Sequence, residues 1–436
     1  MAFGLVAAGL MLAGCAALPE PDGMEAALIE RAKGLEELTF AKGENVQSVA
    51  HNGLLRNPEV REAANLISAS ADEVRVQRAE FFPSLGLSAG GGIGDAGDGK
   101  ASMELEGSQL LFDGGKSKRA VKIADVDLQI SYIEFQQKVD DTLIDLLEAY
   151  DTVQMNIELL AVYRQQLDAR TELEALVTAR AQNGAVSATD VLETQRRIRS
   201  AAFLVNETKL ALAEARDRLT LLSGQSSGGR ITLPASSCKA RGATDDMRLA
   251  RLELGRARLA LASAEKALSP RVKLQPVVRG ELGVDKFPVG LNIDIQSDLL
   301  KGGALTAKAN QDRNTVAAAE ARLAAVALED QIEQNALERS LSAGRQKTEL
   351  LQQQIALLSK TRDLYRSQYF SMGTRQLSEL LDNEEEFYDR KAELVQLKSE
   401  LLSDRVACAA RSGQLRRTLG LEGKTLYGYP LTSDVN

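Results

Sequence analysis

Aromatic residues are scarce in this 436-residue chain: they make up 4% of it, and tryptophan is absent. A globular core of this size normally uses more of them, because each aromatic side chain buries a large area. His51 is the single histidine, so the sequence has too few histidines for the usual metal sites and for nucleophilic sites that depend on histidine. The sequence therefore predicts no enzyme, no metal site and no cofactor.

Positive charge is also in deficit, since the formal net charge is −8. Binding to nucleic acid requires clustered lysine and arginine, so we expect no nucleic-acid partner. The abundant residues are instead Ala, Leu, Glu, Gln, Arg and Lys, a composition typical of long helices packed as coiled coils.

Long apolar runs are missing except at the N-terminus, where Ala2–Leu18 is apolar or small throughout. This run is shorter than the roughly 20 residues of a spanning helix and fits a signal peptide over 1–14. It ends in Leu12-Ala13-Gly14-Cys15, which resembles a bacterial lipobox and predicts lipidation of Cys15. The alternative is an uncleaved helical anchor. No lysine or arginine precedes the run, which indicates a true start codon further upstream.

The chain repeats itself after about 188 residues. The segment 111–115 recurs at 299–303, Pro83 recurs as Pro270, and Gly184 recurs as Gly373. Three landmarks in the same order at a nearly constant offset indicate a tandem duplication. We expect the following division: a lipidated N-terminal segment over 15–57, repeats over 58–230 and 245–420, a linker over 231–244, and a tail over 421–436.

Each repeat is predicted to contain a helix, two short strands, a very long helix and a returning helix. The first repeat places these at about Pro58–Phe82, Ser84–Gly94, Ala101–Phe112, Gly115–Ala181 and Ala188–Leu222. The second places them at about Asp245–Leu268, Arg271–Gly283, Val289–Gln296, Gly303–Tyr369 and Gln376–Leu419. The long helices lack proline and would each extend roughly 100 Å.

Apolar residues on the first long helix recur every three or four residues, with a mean spacing near the 3.5 of a coiled coil. The members of this seam are Leu128, Tyr132, Phe135, Val139, Leu143, Leu146, Tyr150, Val153, Ile157 and Leu160. The strand candidates alternate instead, most clearly over Val289–Gln296. Four strands per chain leave unpaired edges, so a membrane sheet built from them closes only by oligomerisation. The residues thus favour a helical tube joined to a shared β-barrel.

This duplicated layout, together with the lipobox near the N-terminus, resembles the TolC family of outer-membrane factors over nearly the whole mature chain. The most specific stretch is Gly373-Thr374-Arg375-Gln376-Leu377-Ser378-Glu379-Leu380-Leu381-Asp382, with a weaker copy over 184–192. The resemblance implies a mainly α protein with a transmembrane β-barrel. In it, long coiled-coil helices form a periplasmic α-barrel, and four strands per chain contribute to a twelve-stranded barrel in a trimer.

The same resemblance implies a periplasmic gate where the helix hairpins turn at Gly184 and Gly373. Carried over by position, Glu379 and Asp382 are the pore acids, and Arg375 is the gating cation that faces Asp190. Phe370 occupies a position where the family can carry an aromatic residue with a hydroxyl. The acidic residues Glu384–Glu386 are interpreted as an ordinary solvated helix face.

The remaining cysteines, Cys238 and Cys408, fall near the equatorial belt of a TolC-like fold, so a disulfide between them is possible in the oxidising periplasm. In the alternative, Cys408 is a small buried packing residue and Cys238 is free in a loop.

The implied function is export through a passive outer-membrane conduit with an iris-like gate. The implied partners are two further copies, outer-membrane lipid, a periplasmic adaptor, and an inner-membrane ABC or proton-driven exporter. The tip segment slightly favours type I protein secretion, whereas the lipobox is more common among drug- and metal-efflux factors. The alternative function is a periplasmic coiled-coil adaptor or scaffold lipoprotein without a pore, which the alternating strands disfavour.

Overall fold

A computed structural model describes residues 20–91, 102–233, 238–240, 242–281, 288–297 and 302–432. The predicted signal peptide and Cys15 lie outside the described residues. The elements in the first half are α1 (Gly23–Ala32), β1 (Glu36–Glu37), α2 (Val46–Arg56), α3 (Pro58–Ala79), β2 (Ser84–Gly90), β3 (Ser102–Phe112), α4 (Lys116–Gln182) and α5 (Ala188–Ser223). Those in the second half are α6 (Asp245–Glu265), β4 (Arg271–Glu281), β5 (Val289–Gln296), α7 (Ala304–Ser367), a π-helix (Gln368–Met372), α8 (Leu377–Arg411), α9 (Leu415–Thr418), β6 (Lys424–Leu426) and β7 (Tyr429–Pro430).

The predicted seam of α4 is buried at every position except Ile157, which is 36% exposed. The neighbouring Asn156 is buried in its place. This shift has a geometric cause: a straight helix of 3.6 residues per turn drifts by about 20° per heptad from a 3.5-residue pattern. Within the described ranges, no helix combines the length and apolarity needed to cross a membrane.

The described residues form two compact units, and each unit draws on both repeats. One lies within Met1–Gly34, Glu62–Phe135 and Asp245–Leu328, and the other within Leu35–Arg61, Gln136–Thr244 and Glu329–Asn436. The duplicated segments are therefore intertwined and do not form one compact unit each.

The first unit contains an antiparallel sheet of order β2-β3-β4-β5, in which the central pair joins a strand of each repeat. Residues directly opposite each other in this register share a face. One face is mainly apolar: its opposed pairs include Leu87 with Leu105, Leu105 with Val278, Val278 with Val289, Leu274 with Ile293, and Val272 with Ile295, and Gln109 is a polar member of it.

The other face of this sheet is mainly polar, with Val277 and Leu110 as its large apolar members. Glu104 and Arg279 lie opposite each other there and form an ion pair of 3.1 Å. The apolar face is open on its outer strands, where Leu87 is 67% and Leu291 67% exposed. This arrangement is the reverse of a water-soluble sheet, which buries its apolar face.

The second unit contains the hairpin ends of the long helices, and its buried clusters give their order. Helices α4 and α5 share one apolar cluster, α4 and α8 share another, and α7 and α8 share a third. The lateral order is therefore α5-α4-α8-α7, which leaves α5 and α7 at the two sides of the layer.

The second returning helix is shorter than predicted, because α8 ends at Arg411 instead of continuing to Leu419. Gly413 follows with φ of 67°, a left-handed conformation that terminates helices. The tail then folds back: β6 pairs with β1 of the N-terminal segment and with β7. The buried Arg416 fixes this tail by binding Asp140 at 2.7 Å and donating to the main-chain carbonyl of Leu431 at 3.1 Å.

Candidate functional site at the helix-hairpin turns

The two hairpin turns predicted at Gly184 and Gly373 pack against each other. Both glycines have positive φ, 73° and 64°, a conformation that disfavours any side chain. The buried residues between the turns come from α4, the π-helix and α8: Leu173, Val177, Tyr369, Leu377, Leu380 and Leu381. The site is thus a single apolar core that joins the ends of both hairpins.

Arg180 ties the end of α4 to the second turn. Its guanidinium donates to the carbonyl oxygens of Tyr369 and Phe370 at 3.0 and 3.1 Å and lies over the Tyr369 ring at 5.1 Å. The two rings meet edge to face at 4.8 Å. Burial raises the pKa of the Tyr369 hydroxyl. Phe370, predicted as a gate residue, is therefore a half-buried packing residue of this clamp.

Within one chain, the described residues Arg375 and Asp190 form no ion pair with each other, and a contact between them remains a prediction. Arg375 instead binds Glu379 at 3.1 Å and Gln368 at 3.0 Å, and it stacks on Tyr365. Glu379 lies four residues further along the chain, which is the ordinary spacing for an ion pair along a helix.

Asp190 has a local role as well. Its carboxylate accepts from the backbone N–H of Ser187 at 3.1 Å, and the Ser187 hydroxyl accepts from the backbone N–H of Asp190 at 3.2 Å. This reciprocal capping box starts α5 and satisfies backbone donors that the first turn of a helix leaves free. The capping box thus occupies the carboxylate that was expected to face the gating cation.

Arg197 on α5, which the sequence did not single out, makes ionic contacts between the hairpins. It binds Asp382 at 2.8 Å and also contacts Glu385, both on α8, and Glu193 of its own helix at 3.0 Å. Behind it, the buried Arg170 of α4 donates to the main-chain carbonyl of Arg197 at 2.8 Å. Of the two predicted pore acids, Asp382 therefore has an interhelical partner, and Glu379 has a partner next to its own helix.

The expected solvated face at Glu384–Glu386 is wrong for Glu384. This residue is 2% exposed, lies 3.9 Å from the Arg362 guanidinium, and burial raises its pKa. Arg362 is held in turn on the face of the Phe387 ring at 4.6 Å. A run of acids in the sequence carries no sign of which member faces inward, because that depends on the neighbouring helix. Glu386 is exposed as expected.

Away from the turns, the structure forms the disulfide between Cys238 and Cys408, with the Cα atoms 4.2 Å apart. Both cysteines are buried in the cluster that joins α7 and α8. The bridge fastens the segment after α5 to the second returning helix. In the described part of the chain, no group of three or more His, Cys, Asp or Glu residues is placed to hold a metal ion.

We expect non-reduced peptide mass spectrometry to recover Cys238 and Cys408 in one linked pair. A loop of this length contributes about 2–5 kcal/mol to stability, so reductant should lower the thermal denaturation midpoint. The matched control carries Cys238→Ala and Cys408→Ala, and its midpoint should not respond to reductant. Two alkylatable thiols in the folded protein would contradict the bridge.

The fold of this chain is shared by solved bacterial outer-membrane proteins. Residues 49–225 match the family model described as outer membrane efflux protein. Over 86% of this chain and 96% of the other, the fold superposes on the outer membrane protein VceC of Vibrio cholerae with a TM-score of 0.76, at 17% sequence identity.

Two curated relatives share sequence with part of the chain. The cation efflux system protein CusC of Escherichia coli (strain K12) is 27% identical over 174 residues, which is 37% of this chain and 36% of that protein. The alkaline protease secretion protein AprF of Pseudomonas aeruginosa is 24% identical over 179 residues, 39% of this chain and 37% of that protein. The matches thus span little more than a third of either relative. Together these findings confirm the resemblance to the TolC family of outer-membrane factors.

Proposed function

We propose that this chain is one protomer of a homotrimeric export channel in the bacterial outer membrane, anchored by lipid at Cys15. Its long helices extend into the periplasm, where they meet an adaptor protein and an inner-membrane ABC or proton-driven exporter. The channel is a passive conduit and performs no enzymatic chemistry. The observation that carries this proposal is the four-stranded sheet with an exposed apolar face.

An exposed apolar face with a polar opposite face suits a sheet that has lipid on one side and water on the other. The outer strands β2 and β5 each have one unpaired edge within the described sheet. Open edges are not tolerated in lipid, because unpaired backbone groups there lack any hydrogen-bond partner. Pairing of β2 with β5 of the next copy closes the sheet, and three copies make twelve strands.

The helical layer likewise exposes an apolar surface at each of its two sides. Exposed apolar residues form a stripe on α5 (the α5 stripe: Leu192, Phe203, Leu210 and Leu221) and another on α7 (the α7 stripe: Ile332, Leu350, Leu357 and Leu364). Successive members of each stripe are 7, 11 or 18 residues apart. These spacings are close to whole numbers of helical turns, so each stripe lies along one face of its helix. Two different stripes on one chain fit a head-to-tail ring, in which the α5 stripe of one copy packs on the α7 stripe of the next.

The proposal predicts a trimer in mild detergent that resists dissociation until heated and that conducts ions across a planar bilayer. A monodisperse monomer without conductance would instead support the alternative, a periplasmic scaffold without a pore. Migration on gels with and without heating, followed by bilayer recording of the same preparation, separates the two functions.

Lipid anchoring at Cys15 is tested by replacing Cys15 with Ser in the full-length precursor. We expect the variant to remain unprocessed and to lack the mass of the lipid. Normal maturation of the variant would remove the lipid anchor from the proposal without affecting the channel.

At the hairpin turns, we propose that Glu379 and Asp382 face the pore and that Arg197 helps to hold the closed state. The support is geometric: Arg197 joins α5 to α8, so an opening motion that separates these helices must break its contacts with Asp382 and Glu385. Arg375 does not have this role within a chain, because its partner Glu379 lies at the start of the same hairpin arm.

A further inference from the structure

A crevice of about 540 Å³ opens in the second unit between α4, α7, α8 and the segment Arg230–Thr232 that follows α5. Each helix contributes one face to it: the lining positions on α4 are 151, 154, 155 and 158, and those on α7 are 345, 348 and 349. A volume of this size is within the range of small-molecule binding sites. The segment Arg230–Thr232 forms the fourth wall of the crevice, and the disulfide between Cys238 and Cys408 fastens the chain shortly after it.

Part of the crevice lining is apolar. Met155, Ile231, Val395 and Leu402 are half-buried there, and Leu401 is buried between them and the α7–α8 cluster. An occupant with a short apolar body would remove this surface from water, which favours its binding.

The charged residues around this lining are unevenly paired. Asp151 accepts from the Ser399 hydroxyl at 2.5 Å, and Glu158 lies 3.4 Å from Arg230. In contrast, the exposed Arg345, Lys398 and Arg405 form no hydrogen bond or ion pair with any part of the chain that the structure describes.

Negative charge does not balance these three cations. Glu349 is the one lining carboxylate left without a partner in the described ranges. Burial raises the pKa of the Asp151 carboxyl, which already accepts from the Ser399 hydroxyl. A crevice with surplus positive charge is notable on a chain whose net charge is −8, and it favours an anionic occupant.

We propose that this crevice binds an amphipathic anion: a carboxylate, phosphate or sulfonate carried on a short apolar body, one molecule per protomer. The three unpaired cations recognise the anionic group, and the apolar lining receives the body. The site goes beyond the proposed export function and does not depend on it.

Association of copies would leave the crevice accessible. Successive residues of a helix are rotated by about 100°, so Leu357 of the α7 stripe lies roughly 120° around α7 from Arg345. The crevice is thus on a different face of α7 from the surface proposed to meet the next copy.

The test uses the full chain in nanodiscs of zwitterionic lipid, titrated with hexyl phosphate in a calorimeter. We expect saturable binding of one molecule per protomer, weakened by salt because the contacts are ionic. Hexyltrimethylammonium, with the same apolar body and opposite charge, should not bind. Inorganic phosphate should bind more weakly than hexyl phosphate, because it lacks the apolar body.

The triple variant Arg345→Gln, Lys398→Gln and Arg405→Gln should bind hexyl phosphate at least about tenfold more weakly. The control variant Lys360→Gln removes another exposed lysine of α7 that is outside the crevice and should bind as the original chain does. Circular dichroism verifies the helix content of each variant.

Equal binding by the triple variant, binding of hexyltrimethylammonium, equal affinity for inorganic phosphate, or no binding of hexyl phosphate would each overturn the proposal. Conductance is recorded separately, so loss of this site and failure of the export function remain distinguishable.

Discussion

Phe203→Glu is expected to abolish the trimer and, with it, the ion conductance. Phe203 is 66% exposed in the protomer and lies in the middle of the α5 stripe. If this stripe packs on the α7 stripe of the next copy, the substitution removes about 1.5–3 kcal/mol of apolar burial at each interface. It also places a carboxylate against an apolar surface, which costs more unless the group finds a partner. The measurement is the oligomeric mass in mild detergent, followed by bilayer recording.

A second variant tests the opposite side of the same interface. Leu357→Glu, at a position 64% exposed in the α7 stripe, should dissociate the trimer as strongly as Phe203→Glu does. The matched control is Phe40→Glu, because Phe40 is 61% exposed and belongs to neither stripe. Intact trimers in both stripe variants would contradict the proposed ring, and dissociation by Phe40→Glu would show that the effect is unspecific.

Arg197→Ala is expected to increase the open fraction of the channel. It removes the contacts of α5 with Asp382 and Glu385 and leaves the buried Arg170 near Glu385. Partly exposed ion pairs contribute about 0–1 kcal/mol each. Loss of about 1 kcal/mol in each of three protomers would shift the closed–open equilibrium on the order of 100-fold. Single-channel recording should show a higher conductance or a longer open time.

The neighbouring Arg196 supplies a close control for this experiment. It is 67% exposed at its side chain and forms its ion pair with Glu193 on the same helix. Arg196→Ala should therefore leave gating unchanged. Equal conductance together with an equal open time in Arg197→Ala and the original chain would reject Arg197 as a closing contact.

In a separate variant, Glu379→Gln with Asp382→Asn should lower the preference for cations if these acids line the pore.

The sequence predicted the fold where the signal was local and periodic. The seam of α4 follows from apolar spacing, β5 follows from strict alternation over Val289–Gln296, and the turn at Gly373 follows from its place in the repeat. The first two depend on residues close together in the chain. The duplication predicted the order of the helices and strands. That order matches the fold of solved outer-membrane proteins.

The partners of individual charges could not be read in the same way. Arg375 and Arg197 are both arginines at the hairpin ends, and the family resemblance selected Arg375 as the gating cation. The choice depends on the rotation and register of α5 against α8, which place Arg197 beside Asp382 while Asp190 is used to cap its own helix. An arginine can pair with any acid that comes within reach, and the spacing of residues along the chain does not show which acid does. Only the packed structure selects the partner.

The sequence by itself determined the long helices, the four strands and the hairpin turns, because periodicity and glycine conformation are properties of neighbouring residues. Only the tertiary structure decided that β3 pairs with β4 across the two repeats, that Glu384 is buried, and that the tail returns to β1. These features join residues far apart in the chain. Their energies depend on which surfaces meet, and that information appears only when the helices and strands are packed together.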